Sequence, residues 1–178
     1  IGKRSRFFME EKGFLANDKT FLLPVSDWFL LGLLNTETVF DYLKTLCSVL
    51  GDEVKGGRLE FRKIYMETLP IPDAPEQEKE SIGNLAKETQ NLHSQRRAKV
   101  EQFLVAIGSS PAASNSRNPL ENPWLLEESE FEKRAKKHGT PDAALFKLVR
   151  DETASLTKEI AKLESEIDTR VASLYGAG

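Results

Sequence analysis

Cysteine is almost missing from this chain: Cys47 stands alone among 178 residues. One thiol cannot form an intramolecular bridge, so a disulfide framework is excluded. Lying in an apolar run, Cys47 reads as a buried thiol of a reducing, cytoplasmic protein rather than a nucleophile. Long apolar runs are also missing. The longest, Trp28 to Leu34, includes Gly32 and falls far short of the roughly 18 residues that span a bilayer, so no membrane partner is expected. Histidine is scarce: His93 and His138 are far apart in charged helical stretches, with no cysteine cluster to share a zinc, and both read as solvated. There is no secretory signal, and the chain opens on Ile1-Gly2-Lys3-Arg4 without methionine, the expected form of a piece of a longer polypeptide.

An excess of positive charge is missing too. The net charge is −3, which gives no global electrostatic case for a polyanionic partner. The halves differ, however. Residues 1–72 hold ten basic and ten acidic side chains, and 73–178 hold fifteen and eighteen, so any nucleic-acid surface is expected as a local patch in the neutral first half.

Catalytic signatures are absent as well. There is no phosphate-binding glycine loop, no GxSxG elbow and no dinucleotide fingerprint. Asn118-Pro119-Leu120 and Asn122-Pro123-Trp124 lack the second proline of an Asn-Pro-Pro-aromatic amine-binding motif. Glu10-Glu11-Lys12 and Glu53-Val54-Lys55 supply only the second half of a metal-dependent nuclease pattern, a match that short charged stretches make by chance. Neither a catalytic site, nor a cofactor site, nor a metal site is expected in this chain.

What is present is mostly helical periodicity. Residues 1–24 read as two short extended segments joined by turns at Gly13 and Asn17-Asp18. Ser26 is the expected cap of a helix carrying Trp28, Phe29, Leu31 and Leu34; Thr36 caps a second with Val39, Phe40, Leu43, Leu46 and Leu50 inward, ending near Gly51. Gly56-Gly57 mark a turn. Arg58 to Tyr65 then alternates as a strand, with Leu59, Phe61 and Tyr65 on one face and Arg58, Glu60 and Arg62 on the other. Leu69-Pro70-Ile71-Pro72 ends regular pairing, because proline lacks an amide donor and forces its predecessor extended. Pro70 and Pro72 are therefore the expected structural hinge, and the domain boundary is placed after residue 72.

Beyond it, Ile82, Leu85, Thr89, Leu92, Arg96, Val100, Phe103 and Ile107 recur three and four apart on a long helix over about 75–107. Residues 108–123 read as a loop or flexible linker and about 124–138 as a short helix. Leu145, Val149, Glu152, Leu156, Ile160, Leu163, Ile167, Val171 and Leu174 stripe a second long helix over about 141–175. Neither helix is stable alone at this polarity, so an antiparallel pair is the economical solution. At about 1.5 Å per residue it makes a rod of ~45 Å. The expected fold is α+β and mostly helical: a small mixed domain at 1–72, then two long helices packed as an antiparallel coiled-coil-like rod within 73–178.

Taken in order, Trp28-Phe29-Leu30-Leu31-Gly32-Leu33-Leu34-Asn35-Thr36, Gly56-Gly57-Arg58 and Leu69-Pro70-Ile71-Pro72, with Ile167-Asp168, Val171 and Leu174-Tyr175-Gly176 at the far end, form one pattern. It resembles the C-terminal target-recognition (specificity) domain of TaqI-type and type IIG restriction-modification DNA adenine methyltransferases. The likeness covers most of 7–105 and 156–176. Thr36 stands where the family more often has Ser, which keeps a capping hydroxyl, and 108–140 matches nothing in the pattern.

The resemblance implies a parent that transfers a methyl group from S-adenosylmethionine to adenine N6, with or without a fused endonuclease. Such chemistry flips the base out of the duplex, so a separate module must grip the DNA around it. This chain would be that non-catalytic module. Its partners would be double-stranded DNA and an upstream methyltransferase domain of the same polypeptide, which would hold the S-adenosylmethionine.

The DNA-binding candidates are Lys55, Arg58, Arg62 and Lys63, together with Lys3, Arg4 and Arg6. Alternation should point Arg58 and Arg62 the same way, against a bland reading as a solvated strand face with Glu60 paired to its neighbours. Trp28, Phe29, Phe40 and Tyr42 could stack on bases, but interleaved aliphatics favour core packing. Arg96-Arg97-Lys99 and Lys133-Arg134 with Lys136-Lys137 read as solvated helix faces. Two other functions stay open. One is half of a type I restriction specificity subunit, which also joins a recognition domain to a long helix through a proline-rich hinge and often carries Glu-Gln near the helix start, as Glu76-Gln77 do. The other is a helical protein-interaction scaffold without DNA binding.

Overall fold

The structure, a computed structural model, describes residues 6–10, 13, 22–51, 58–112 and 118–176. It is mostly helical, with one two-stranded sheet and two long C-terminal helices, an α+β chain dominated by helix. Helices α1 (Trp28–Leu34) and α2 (Glu37–Leu46) precede strands β1 (Ser48–Leu50) and β2 (Arg58–Glu60). A single turn, α3 (Lys63–Met66), leads to the long α4 (Glu76–Ala106). Two 3-10 turns, Pro119–Glu121 and Pro123–Leu125, come before α5 (Glu128–His138) and the long α6 (Ala143–Leu174). The chain divides into two compact units: Ile1–Gln90 with Leu163–Gly178, and Asn91–Lys162.

In the first unit, α1 is apolar on nearly every side and is buried accordingly, at Phe29, Leu31, Gly32, Leu33 and Leu34. Its cap is Asp27 rather than the expected Ser26: extended backbone at Asp27 aims the carboxylate at the Leu30 amide, 3.0 Å away. A carboxylate at a helix N-terminus also complements the helix dipole. Gly32 and Gly83 let α1 and α4 approach closely. A Cβ on Gly32 would lie 2.8 Å from Ile82 Cγ2, and one on Gly83 would lie 3.3 Å from Trp28 Cβ and 3.4 Å from the Phe29 amide nitrogen.

Thr36 caps α2 as expected. Its hydroxyl accepts from Val39 N at 3.3 Å and donates to Leu33 O at 2.7 Å, so this buried polar group is satisfied at both ends. The helix stops four residues earlier than the apolar spacing suggested. Cys47 is extended, and Ser48–Leu50 leaves the helix to pair antiparallel with Arg58–Glu60, in the register Val49↔Leu59. Leu50 is thus a partly exposed strand residue, not an inward helical one. The strand expected over Arg58–Tyr65 also ends early, at Glu60. β1 offers only three residues to pair with, and Tyr65 and Met66 turn their amides to Arg62 O instead. The sidedness survives: Leu59 is buried, and Phe61 and Tyr65 pack on the same cluster as Leu34, Val39, Leu43, Cys47 and Leu69.

A second cluster in this unit joins Phe29 and Leu33 to Ile82 and Ala86 of α4 and to Ile167 and Val171 of α6. Arg170 closes it with an ion pair to Glu78, at 3.0 and 3.1 Å from its two carboxylate oxygens.

In the second unit, α4 and α6 run antiparallel: Arg96 meets Thr157, Lys99 meets Glu152, and the rings of Phe103 and Phe146 meet. Phe131 of α5 stacks on Phe146 at 4.2 Å between centroids, and Phe103 lies 5.9 Å from Phe131. All three are fully buried, surrounded by Val100, Leu104, Ile107, Leu120, Leu126, Ala135 and Val149. At the end of α4, Gly108 takes the left-handed conformation (φ 71°). Its amide bonds to Val105 O, and the next amide, Ser109 N, bonds back to Leu104 O at 2.7 Å, which satisfies the helix's last carbonyls.

The expected flexible linker needs correction where it is described. Asn118 and Leu120 are buried, and the Asn118 amide donates to Ser109 Oγ and Ser110 O while its oxygen accepts from Leu120 N. That satisfied polar knot folds Leu120 into the core, so 118–123 is packed structure. The helix expected from 124 begins as the Pro123–Leu125 turn and becomes α5 only at Glu128.

Candidate nucleic-acid interface

The basic candidates that can be described all belong to the first unit. Lys3, Arg4, Lys55 and the Gly56-Gly57 turn lie outside the described residues, as do Asn17-Asp18, Glu11-Lys12 and Glu53-Val54. Arg58 is exposed on β2, opposite Leu50. Arg62 is exposed at the entry to α3, but its guanidinium holds Glu60, with Nε and an Nη at 2.8 and 2.7 Å from one carboxylate oxygen. Lys63, 79% exposed, pairs with Glu67 at 3.3 Å. Such exposed pairs contribute little to stability and break readily for a stronger anion. Among the described residues, no ion pair engages Arg6 or Arg58.

An aromatic contact brings the two basic segments together. The ring of Phe7 lies 5.6 Å from that of Phe61, centroid to centroid. Arg6 is one residue from this contact on one segment, and Arg62 is one residue from it on the other. The N-terminal segment is held there through its main chain. Asn35, just past α1, accepts from Phe7 N at 2.9 Å and donates to Phe7 O at 3.0 Å; Gln90 of α4 does the same for Met9, at 2.6 and 3.0 Å. Asn35 stands out in the sequence only as part of the Trp28–Thr36 pattern, and Gln90 not at all: it sits beside the seam position Thr89, and a bond across 81 residues leaves no local signal.

Three of the four aromatic candidates are packed, whereas Tyr42 is exposed. Phe29 is buried. Trp28 and Phe40 are half-buried, with Lys87 Nζ and Lys44 Nζ over their rings at 5.9 and 5.0 Å. Tyr42 lines an apolar depression of about 210 Å³ with Thr38, Val39, Leu69, Pro70 and Tyr175. There the Tyr175 phenol is pushed above its ordinary pKa, first by burial and then by repulsion from Tyr42.

The separated pieces of the family-like pattern touch one another in this unit. The Tyr175 hydroxyl donates to Pro70 O at 2.7 Å. Asp168 accepts from Glu37 N at 3.0 Å, so α2 is capped by a residue 131 positions away as well as by Thr36. Asp168 titrates above the ordinary carboxylate range. Burial is the largest cause, the Glu37 amide opposes it, and the charges of Glu37 and Glu164 add to it. Cys47 is buried, and that burial raises its thiol. Of the hinge prolines, Pro70 is exposed and Pro72 half-buried, with Leu69 in the core between them and β2.

Among the described residues there is no group of three or more His, Cys, Asp or Glu side chains able to hold a metal ion, and no helix long and apolar enough to cross a membrane. No family model, curated protein or solved structure matches the chain.

Proposed function

We propose that this chain is the DNA target-recognition module of a restriction-modification adenine-N6 methyltransferase, with S-adenosylmethionine and catalysis supplied by a domain upstream in the same polypeptide. The observation that carries the DNA reading is the Phe7–Phe61 contact, which gathers basic residues from two distant segments, Arg6 on one and Arg58, Arg62 and Lys63 on the other, in a chain of net charge −3. Local concentration of cations is what phosphate contact requires, whatever the bulk charge. The family reading is supported by the Tyr175–Pro70 bond, which joins two separated pieces of the pattern that carries the resemblance, and by Asp168, which holds the residue that follows Thr36.

Fluorescence anisotropy with duplex DNA tests this. Log affinity should fall linearly with log salt, and Arg58→Glu with Arg62→Glu should weaken binding by at least an order of magnitude and flatten the slope by about two. A chain that ignores duplex DNA at low salt would sink the reading. In the parent polypeptide, a glycine-rich cofactor loop and an Asn-Pro-Pro-Tyr motif are expected upstream.

A further inference from the structure

Asn35 and Gln90 treat the N-terminal segment in an unusual way. Each primary amide engages both the N–H and the C=O of a single residue, Phe7 and Met9 respectively. That is the pairing a neighbouring β-strand would make, and the two residues are spaced by the strand period of two. Side chains supply the strand edge that the fold lacks there. Alternation then sorts the segment: Phe7 and Met9 are half-buried, whereas Arg6, Phe8 and Glu10 are exposed.

We infer that Asn35 and Gln90 are positioning residues for DNA binding, which fix the N-terminal segment so that Arg6 is presented to a DNA phosphate as part of the surface that includes Arg58. The inference rests on the DNA-recognition reading above. Its occupant follows from charge: Arg6 and Arg58 are the exposed arginines that no ion pair engages among the described residues, and a polyanion complements them. Because the clamp bonds main-chain atoms, it sets where Arg6 stands without contacting its side chain.

The test compares wild type with Arg6→Ala, Gln90→Met and the double variant, all in the 178-residue chain, titrated into labelled duplex DNA at several salt concentrations. Gln90 is the amide varied, since loss of Asn35 would also remove a bond to Leu31 O at the end of α1. Arg6→Ala should weaken binding about five- to tenfold near 0.1 M salt and flatten the slope by about one. Gln90→Met should move affinity and slope the same way, and the double variant should be no weaker than Arg6→Ala alone, because both act on one contact. Gln90→Glu, which keeps the acceptor for Met9 N and loses the donor to Met9 O, should fall between Gln90→Met and wild type, and serves if the methionine variant does not fold. Wild-type affinity in both Gln90 variants, or a loss that adds in full to that of Arg6→Ala, would overturn the inference while the Arg58 and Arg62 result stood. Absence of wild-type binding would overturn both readings together.

Discussion

Each unit is held together internally by its own kind of bond. In the first, most long-range hydrogen bonds among the described residues run from side chain to main chain, as from Asn35 to Phe7, Gln90 to Met9, Asp168 to Glu37 and Tyr175 to Pro70, with Arg170 to Glu78 a side-chain exception. In the second they run from side chain to side chain: Arg96 to Thr157 and across the Trp124 ring at 4.5 Å, Lys99 to Glu152, and the three phenylalanines to one another. A bond to the main chain is indifferent to what residue it holds. The first unit can therefore change the side chains of its held segments while keeping their register, as the proposed recognition role would require. The second unit depends on the identity of both partners.

The contrast can be broken most severely at Phe131. Phe131→Ala should destabilise the second unit by about 3–5 kcal/mol, as loss of a fully buried ring and the cavity it leaves usually do. Hydrogen exchange should show protection lost first around Val100–Ile107 and α5, and a loss spread evenly over Val39–Leu43 as well would mean the units are not separately cooperative. Next in size is Gly32→Val. The added branch meets Ile82 Cγ2, and overpacking of about 1–3 kcal/mol is expected in the first unit, read as a lower urea midpoint; an unchanged midpoint would show that α1 can move off α4.

The smallest effect is the most discriminating. Asp168→Ala should cost about 0.5–2 kcal/mol by removing the acceptor for Glu37 N, whereas Asp168→Asn keeps it. Because folding raises the Asp168 pKa, its protonated form is favoured in the folded chain. That contribution is complete below the unfolded value, about 3.9, and is lost as pH rises through the raised folded value. Asp168→Asn should thus gain on wild type at pH 7 relative to pH 3.5. A difference that is the same at both pH values would contradict the shift.

Much of this architecture is legible in local pattern because caps and seams are local. Thr36 caps α2, and both long helices bury their stripes at Ile82, Leu92, Val100 and Phe103, and at Val149, Ile160, Ile167 and Val171. The failures come where one spacing serves two structures. Leu50 continues a three-and-four apolar rhythm yet pairs in a strand, and Arg58–Tyr65 alternates through a strand that β1 is too short to extend. Leu120 joins the core from a Ser, Asn and Pro stretch with no period at all. At the candidate interface, basic positions are visible in sequence, and so are their local pairs, Arg62 with Glu60 and Lys63 with Glu67; the amides holding Phe7 and Met9 exist only through tertiary apposition.

The make-up of the first unit has a consequence for how the chain matures. It is discontinuous, joining residues up to Gln90 with residues from Leu163 onward, whereas Asn91–Lys162 is one uninterrupted stretch. A ribosome releases α1, α2 and the β-ribbon well before Asp168, Arg170 and Tyr175, so α2 waits for its Asp168 cap and Pro70 for its donor. The intervening stretch has all its partners first. Order of folding should then invert order of synthesis, with the second unit assembling while the first is still an apolar, incompletely paired nascent chain, the stage at which chaperone contact and aggregation are concentrated.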